Sequence, residues 1–336
     1  MRIVLDAMGT DARPAPDVEG AVLAAREYGE TIILIGNEQA IQVELNKFDT
    51  SNLKIEVHHA EEQILMNEKP SLVMKSKPLS SIHLGMKLVK EGQGDAFVTM
   101  GNTGAAHAIA TLSTLRRIPA VKRPALTAIY PIWGQETILL DVGANADSKI
   151  EWMEQFAVMG SIYAEKALAR ENPRVATLSN GEEEGKGNQL VREVQSRLRE
   201  SNLNYIGHIE PKEMLRGTAD VVVMDGYVGN IFIKSVEAAF SYLIDMLRQE
   251  IRNDIVSTMG GALARPAFRR TRDRMDPRGV GGAPLLGVNG VVIIGHGSSD
   301  AFAVKSAIKQ AIRAVEGNVV AEIKQGLEKI VTETNA

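Results

Sequence analysis

Short β-branched runs alternate with stretches of helical three-four spacing along the chain. The runs predict strands at 3–5, 31–35, 53–57, 96–99, 126–130, 137–141, 175–178, 205–206, 221–224 and 291–294. Several, such as Ile32-Ile33-Leu34-Ile35, are continuously apolar, which is how a strand covered on both faces reads. Between them, Val18, Ala21, Val22 and Ala25 fall on one helical face, and Trp152, Phe156, Met159 and Tyr163 on another. Strands alternating with amphipathic helices predict an α/β fold of three layers, α/β/α, around a mostly parallel sheet.

The alternation fails over 250–285. There Ile251, Ile255, Val256, Met259, Leu263 and Phe268 keep helical spacing, followed by arginines from Arg265 to Arg278. The flanking strands are farther apart than a loop spans. This predicts a helical segment, set at 240–285, protruding from a single domain over 1–336.

Composition narrows the classes. A chain of 336 residues, 44% apolar and 24% charged, buries a sizeable core without metal or disulfide support. Its 38 basic and 42 acidic residues leave a formal charge of -4, which argues against a general nucleic-acid binder. Aromatic residues at 4% make base-stacking platforms a poor fit. Cysteine is absent, so disulfides, thiolate metal sites and a cysteine nucleophile are excluded. No apolar run approaches the ~18–20 residues of a membrane span, and Met1-Arg2-Ile3-Val4-Leu5-Asp6 reads as a strand rather than a leader. A reducing cytoplasm is the expected compartment.

Most predicted strands end in Gly, Asp or Asn, and their loops are expected to converge on one edge of the sheet, where open parallel sheets bind ligands. The Gly101-Asn102-Thr103-Gly104 turn opens a small-residue helix and offers bare backbone amides to an anion. It is neither a G-x-x-x-x-G-K-[ST] loop nor a G-x-G-x-x-G fingerprint. Lys186, between Gly185 and Gly187, has the reach to bring a mobile charge to a phosphate, although a solvated loop is the plainer reading. Asn230, closing Asp225-Gly226-Tyr227-Val228-Gly229-Asn230, suits a helix cap or an oxyanion donor. His296, between glycines, is poorly placed for packing and suits a ligand contact or proton transfer. Asp6, Asp141 and Asp225 stand at strand ends, where capping is the plainer role and a Mg²⁺ site the rival. The remaining histidines, His107 among them, show no metal-ligand spacing.

Taken in order, a series of motifs resembles one family. They are Asp6-Ala7-Met8-Gly9, Gly101-Asn102-Thr103-Gly104-Ala105, Arg123-Pro124-Ala125, Leu140-Asp141-Val142-Gly143-Ala144-Asn145, Gln155-Phe156-Ala157-Val158-Met159-Gly160, Asp225-Gly226-Tyr227-Val228-Gly229-Asn230 and His296-Gly297-Ser298-Ser299. From Met1 to about Glu316 the chain is similar to the bacterial phosphate acyltransferases of phospholipid synthesis, the PlsX family. Thr10 stands where that family usually has a second glycine, and Asn180 where isoleucine or valine is common.

The resemblance implies a fold related to isocitrate and isopropylmalate dehydrogenases and to phosphotransacetylase. It implies transfer of a long-chain acyl group from acyl-carrier protein to inorganic phosphate, with no cofactor and no metal. Lys186 would supply charge to phosphate, and Asn230 would serve the carbonyl or oxyanion. Gly9, Gly101, Asn102, Thr103, Gly104, Asn145, His296 and Ser298 would bind substrate. The implied protein is a cytoplasmic homodimer, peripheral to the inner face of the cell membrane. It would hand acyl phosphate to a membrane glycerol-phosphate acyltransferase. Ile251, Ile255, Met259, Leu263, Arg265 and Arg269 would meet the membrane, the carrier or the dimer twin, with an ordinary covering helix as the plainer reading. Rival readings are a phosphotransacetylase-like enzyme using acyl-CoA, a metal- and NAD-dependent hydroxyacid dehydrogenase, and a non-catalytic membrane-surface scaffold.

Overall fold

The computed structural model describes residues 1–132, 135–274 and 276–334; the domain expected over 1–336 therefore includes five positions outside the described residues. The strands are β1 Arg2–Asp6, β2 Thr31–Gly36, β3 Ile55–His59, β4 Ala96–Thr99, β5 Ala125–Ile132, β6 Gln135–Leu140, β7 Val175–Leu178, β8 Tyr205–Ile209, β9 Val221–Val223, β10 Ala283–Leu286 and β11 Val291–Ile294. The helices are α1 Ala15–Tyr28, α2 Glu38–Leu45, α3 Pro70–Ser76, α4 Ser81–Lys90, α5 Thr103–Ala108, α6 Ile150–Leu168, α7 Gln189–Arg199, α8 Pro211–Met214, α9 Gly226–Ile251, α10 Ile255–Arg274, α11 Ala301–Glu316 and α12 Val319–Thr334. A π-helical turn, Ile109–Ser113, continues α5.

These strands form one sheet in the order β3-β2-β1-β4-β11-β10-β5-β6-β9-β7-β8. The first five are mutually parallel, and so are the last four. Between these halves, β10 runs antiparallel to both β11 and β5, and β5 antiparallel to β6. Three reversals leave the two parallel halves pointing in opposite directions. Register then decides where they meet. Ala283 of β10 faces Ile294 at the end of β11, and Leu286 faces Ala125 at the start of β5. Thr127 faces Leu140 at the end of β6. The carboxyl ends of both halves therefore reach the same level, at β10. The single edge expected from the pattern is corrected to two opposed half-sheets meeting end to end.

The strand that sets this register, β10, lies all but its last residue inside the segment expected to be helical. In that segment the α-helix ends at Arg274, a 3-10 turn follows at Pro277–Gly279, and 283–285 belong to the sheet. Gly281-Gly282 and Pro284 disguise β10 as a turn. Proline has no N–H for a ladder and is confined to edges or breaks. Here Pro284 sits where β10 changes partner from β11 to β5.

Both faces of both halves are covered. In the first half, Ile3 and Leu5 pack with α1, α2 and α11, while Val4 packs with α3, α4 and α5. In the second, Ile138 and Leu140 pack with α6, α7 and α12, while Leu139 and Val222 pack with Met214 of α8 and Phe232 of α9. The predicted faces of α1 and α6 are buried, with Trp152 partly so.

Beyond its first turns α9 turns largely to solvent, and α10 folds back on it, with Gly261 against Ile251. Ile251 is thus partly occupied within the hairpin. Ile255 and Leu263 are 79% and 85% exposed, and Met259, Arg265 and Arg269 are exposed too. Among the described residues no helix is long and apolar enough to cross a membrane.

Candidate active site

The loops of the first half follow three neighbouring strands, β1, β4 and β11. Asp6 ends β1, buried. Its Oδ2 accepts from Thr99 Oγ1 at 2.7 Å and its Oδ1 from the Met8 N–H at 3.0 Å. Thr99 Oγ1 in turn accepts from the Gly101 N–H at 2.9 Å. Burial pushes the Asp6 carboxyl above its ordinary pKa against the pull of these donors. Gly9 lies so close to the next loop that a Cβ would stand 2.7 Å from the Met100 nitrogen and 2.9 Å from that of Gly101. Only glycine permits this backbone-to-backbone approach. The Asp11 N–H donates to Gly297 O at 2.7 Å, which joins the third loop to the first.

Two predicted ligands in this half have structural occupations. Asn102 caps α5 by accepting from the Ala105 N–H at 3.0 Å. Its Nδ2 donates to Leu65 O and Met66 O at 3.1 Å and to Glu68 O at 3.0 Å. Ser298 orients His296: its N–H donates to Nδ1 at 3.2 Å, and its Oγ lies 2.8 Å from the same atom. That assigns the proton of the neutral ring to Nε2. Thr103, Gly104 and His296 are exposed.

The second half presents loops from β6, β9 and β7, again neighbours in the sheet. Asp141 is buried and gathers its own loop. Oδ1 accepts from the N–H groups of Leu126, Gly143 and Ala144 at 3.1, 3.2 and 3.0 Å. Oδ2 accepts from Asn145 N at 2.7 Å and Asn145 Nδ2 at 2.9 Å. Burial raises this carboxyl's pKa, and the same donors oppose the rise. Asn145 Nδ2 also donates to Pro124 O at 2.9 Å. Asn230 Nδ2 donates to Val142 O at 3.2 Å, on the same loop.

Asn230 is not the cap of α9. Asp225 is, accepting from Tyr227 N at 3.0 Å and Val228 N at 3.4 Å, while its Oδ2 takes the Ser148 N–H at 2.9 Å. The helix starts at Gly226, which puts Asn230 in its second turn. Gly229 allows this docking, since a Cβ there would overlap the Asp141 carbonyl. Lys186 lies on the exposed loop after β7, 3.6 Å from Glu183. All three strand-end aspartates accept from backbone, hydroxyl or amide donors, but only Asp225 takes the expected capping role; Asp6 and Asp141 hold their own loops.

Three features were not singled out as site chemistry from the residues. His107, one turn into α5, is largely buried, and its Nε2 has no hydrogen-bond partner among the described residues. Burial lowers its pKa, with the Asp141 charge opposing and Arg123 reinforcing. Asp141 ends β6 in the other half and Arg123 precedes β5 at the joint, so α5 reaches the joint. Arg123 also stacks over Trp152, 5.1 Å from the ring centre. The third feature, beneath the first loop, is Thr10 bonded to Asp17, Oγ1 to Oδ2 at 2.5 Å. The available signal for His107 was its place just after the Gly101–Gly104 turn; lack of ligand spacing hid it.

Known proteins resemble this arrangement. A family model described as "Fatty acid synthesis protein" matches residues 1–322. A phosphate acyltransferase of Trichlorobacter lovleyi is 44% identical over 329 residues, 98% of this chain and 95% of that protein. Among solved structures, a phosphotransacetylase from Streptococcus pyogenes aligns with a TM-score of 0.60 at 18% identity, covering 94% of both chains. A 4-hydroxythreonine-4-phosphate dehydrogenase from Klebsiella pneumoniae aligns with a TM-score of 0.52 at 11% identity, covering 94% of this chain and 99% of that one. These two likenesses concern the fold.

Proposed function

The chain belongs to the phosphate acyltransferase family, and on that premise we propose that it transfers a long-chain fatty acyl group from an acyl-carrier-protein thioester to inorganic phosphate. The observation that carries this reading is the similarity to a phosphate acyltransferase across nearly the whole of both chains. The end-to-end meeting of the half-sheets supports it, because it brings an amide-rich set of loops to the level of a side-chain-rich set.

Phosphate is its own nucleophile; by analogy with a phosphoester, whose second pKa is near ~6, much of it is dianionic at neutral pH. The Gly9 and Gly101–Gly104 loops and the Nε2–H of His296 hold it, and Lys186 adds a mobile charge. A phosphate oxygen attacks the thioester carbon, forming the new C–O bond. The tetrahedral intermediate collapses with cleavage of C–S, and the electron pair leaves on the carrier's sulfur. Thiols ionise near ~8.5, so the leaving group needs little help from an acid. Asn230 spends one N–H on Val142 O; its second N–H is the donor for the oxyanion. Asn145 holds the Asp141 loop against which Asn230 rests.

The acyl phosphate then goes to a membrane glycerol-phosphate acyltransferase for phospholipid synthesis. The α9–α10 hairpin serves that transfer. Ile255, Met259 and Leu263 enter the interface of the inner leaflet while Arg265 and Arg269 meet its anionic headgroups. The protein is a cytoplasmic, peripheral homodimer in this reading.

The test is an endpoint assay with purified protein, long-chain acyl-carrier protein and phosphate, read by mass spectrometry. Phosphate-dependent acyl phosphate with released carrier is expected. Product from acyl-CoA but not from the carrier thioester would move the donor to coenzyme A, as in the phosphotransacetylases. No product from either donor would overturn the reading.

A further inference from the structure

Thr10 is the middle residue of the first loop. Gly9 before it touches the Gly101 backbone, and Asp11 after it donates to Gly297 O. Thr10 itself is fully buried and turns its hydroxyl inward onto Asp17, in the first turn of α1. Asp17 is also fully buried, and its second oxygen, Oδ1, has no hydrogen-bond partner among the described residues. An ionised carboxylate in that position has the Thr10 hydroxyl on one oxygen and nothing on the other, and protonation removes the buried charge that needs more.

We propose that Asp17 is a positioning residue for the phosphate loops, acting through Thr10. It stands protonated when the Gly9–Asp11 turn holds a phosphate dianion, and its loss of the proton to solvent weakens that binding. This rests on the placement of phosphate given above.

The surroundings agree. The charged neighbour acting on Asp17 is Asp6 on β1, a second buried carboxylate, and two ionised carboxylates in one dry pocket repel each other. Arg13, on the same loop, is drawn to Thr10 O at 3.2 Å and to Gln63 Oε1 at 3.2 Å, and its charge acts on Asp6. From α11, Asp300 pairs with Arg278, and Lys305 with Glu27. From β3, Glu56 pairs with Arg2, His58 lies beside Glu56, and His59 accepts the Glu38 N–H. On α2, Glu44 pairs with Lys47. None of these pairings supplies Asp17 Oδ1 with a cation. Burial, with the Asp6 charge adding to it, pushes the Asp17 carboxyl up to about 7, inside the physiological range.

The test is the KM for phosphate, expressed as dianion so that phosphate's own titration cancels, at saturating acyl-carrier protein. With binding restricted to the protonated form, KM should rise about tenfold from pH 6 to pH 8 in the wild type. Asp17→Asn, which keeps the shape and cannot ionise, should flatten that rise to within about twofold. Thr10→Gly, which cuts the link, should also weaken it. A flat wild-type profile, or the same rise in Asp17→Asn, would overturn the proposal while leaving the reaction intact. Absence of any phosphate-dependent product would instead count against the reaction itself.

Discussion

The two halves of the joint are built by different means. The first brings its loops together backbone to backbone, with Gly9 on Gly101 and Asp11 on Gly297, and keeps its one joining carboxylate, Asp6, buried beneath them. The second organises its loops around two carboxylates, the buried Asp141 holding 141–145 and the half-buried Asp225 holding the start of α9, and carries Asn230 and Lys186 beside them. The contrast follows from charge. Amides and glycines suit a bound anion, which carboxylates would repel. Carboxylates suit a scaffold, where their charge is consumed by fixed donors.

That contrast can be broken, and the largest effect should come from the second half. Asp141→Ala leaves four backbone N–H groups without their acceptor and should cost upwards of about 4 kcal/mol in denaturant unfolding. A cost under about 1 kcal/mol would mean the collar is incidental. Asp17→Asn should move stability the other way. A carboxyl whose pKa rises on folding binds its proton more tightly in the native state, so the native state is penalised as pH climbs above 3.8, fully above about 7. Removing that penalty is worth on the order of 4 kcal/mol at pH 8, and less as pH falls toward 4. Thermal melts at pH 5 and pH 8 should show the gap widening with pH; a constant gap would contradict the buried charge.

Asn230→Ala should raise the barrier by roughly 2.7–4 kcal/mol if its free N–H meets the oxyanion. Only about 1 kcal/mol of stability should be lost with the Val142 contact. Full turnover with a large stability loss would make Asn230 a second scaffold residue. Lys186→Ala, on an exposed loop, should lower kcat/KM for phosphate about tenfold or more with an unchanged melting temperature. Unchanged kinetics would remove Lys186 from the site. The smallest effect on the body should come from Ile255→Glu with Met259→Glu, within about 0.5 kcal/mol. The pair should abolish sedimentation with anionic vesicles, and a monomer instead of a dimer would reassign that face to the subunit contact.

Much of this was legible from residue order. Strand-end loops are short and carry their chemistry locally, so Asp141-Val142-Gly143-Ala144-Asn145 announces a polar turn wherever it is read. The occupation of each side chain was not legible. Asn102 looks like a phosphate ligand until its amide is found on three carbonyls of the 65–68 loop, more than thirty positions away. Asn230 looks like a cap until Asp225 is seen to hold the helix start. His107 carried no spacing signal, because its neighbours Asp141 and Arg123 lie in other segments, at the end of β6 and before β5.

What the sequence determined by itself is local: the alternation of strands and helices, the burial of several strands on two faces, the family, and the apolar stripe of α10, though not its exposure. These depend on side-chain period and on residues within a few positions of one another. Tertiary structure decided the direction of the halves. The antiparallel β5–β6 pair reverses the sheet, and one four-residue strand holding a proline sets the register that brings the two sets of loops level. Ladder pairing is a relation between distant backbones, and no periodicity within β10 records it.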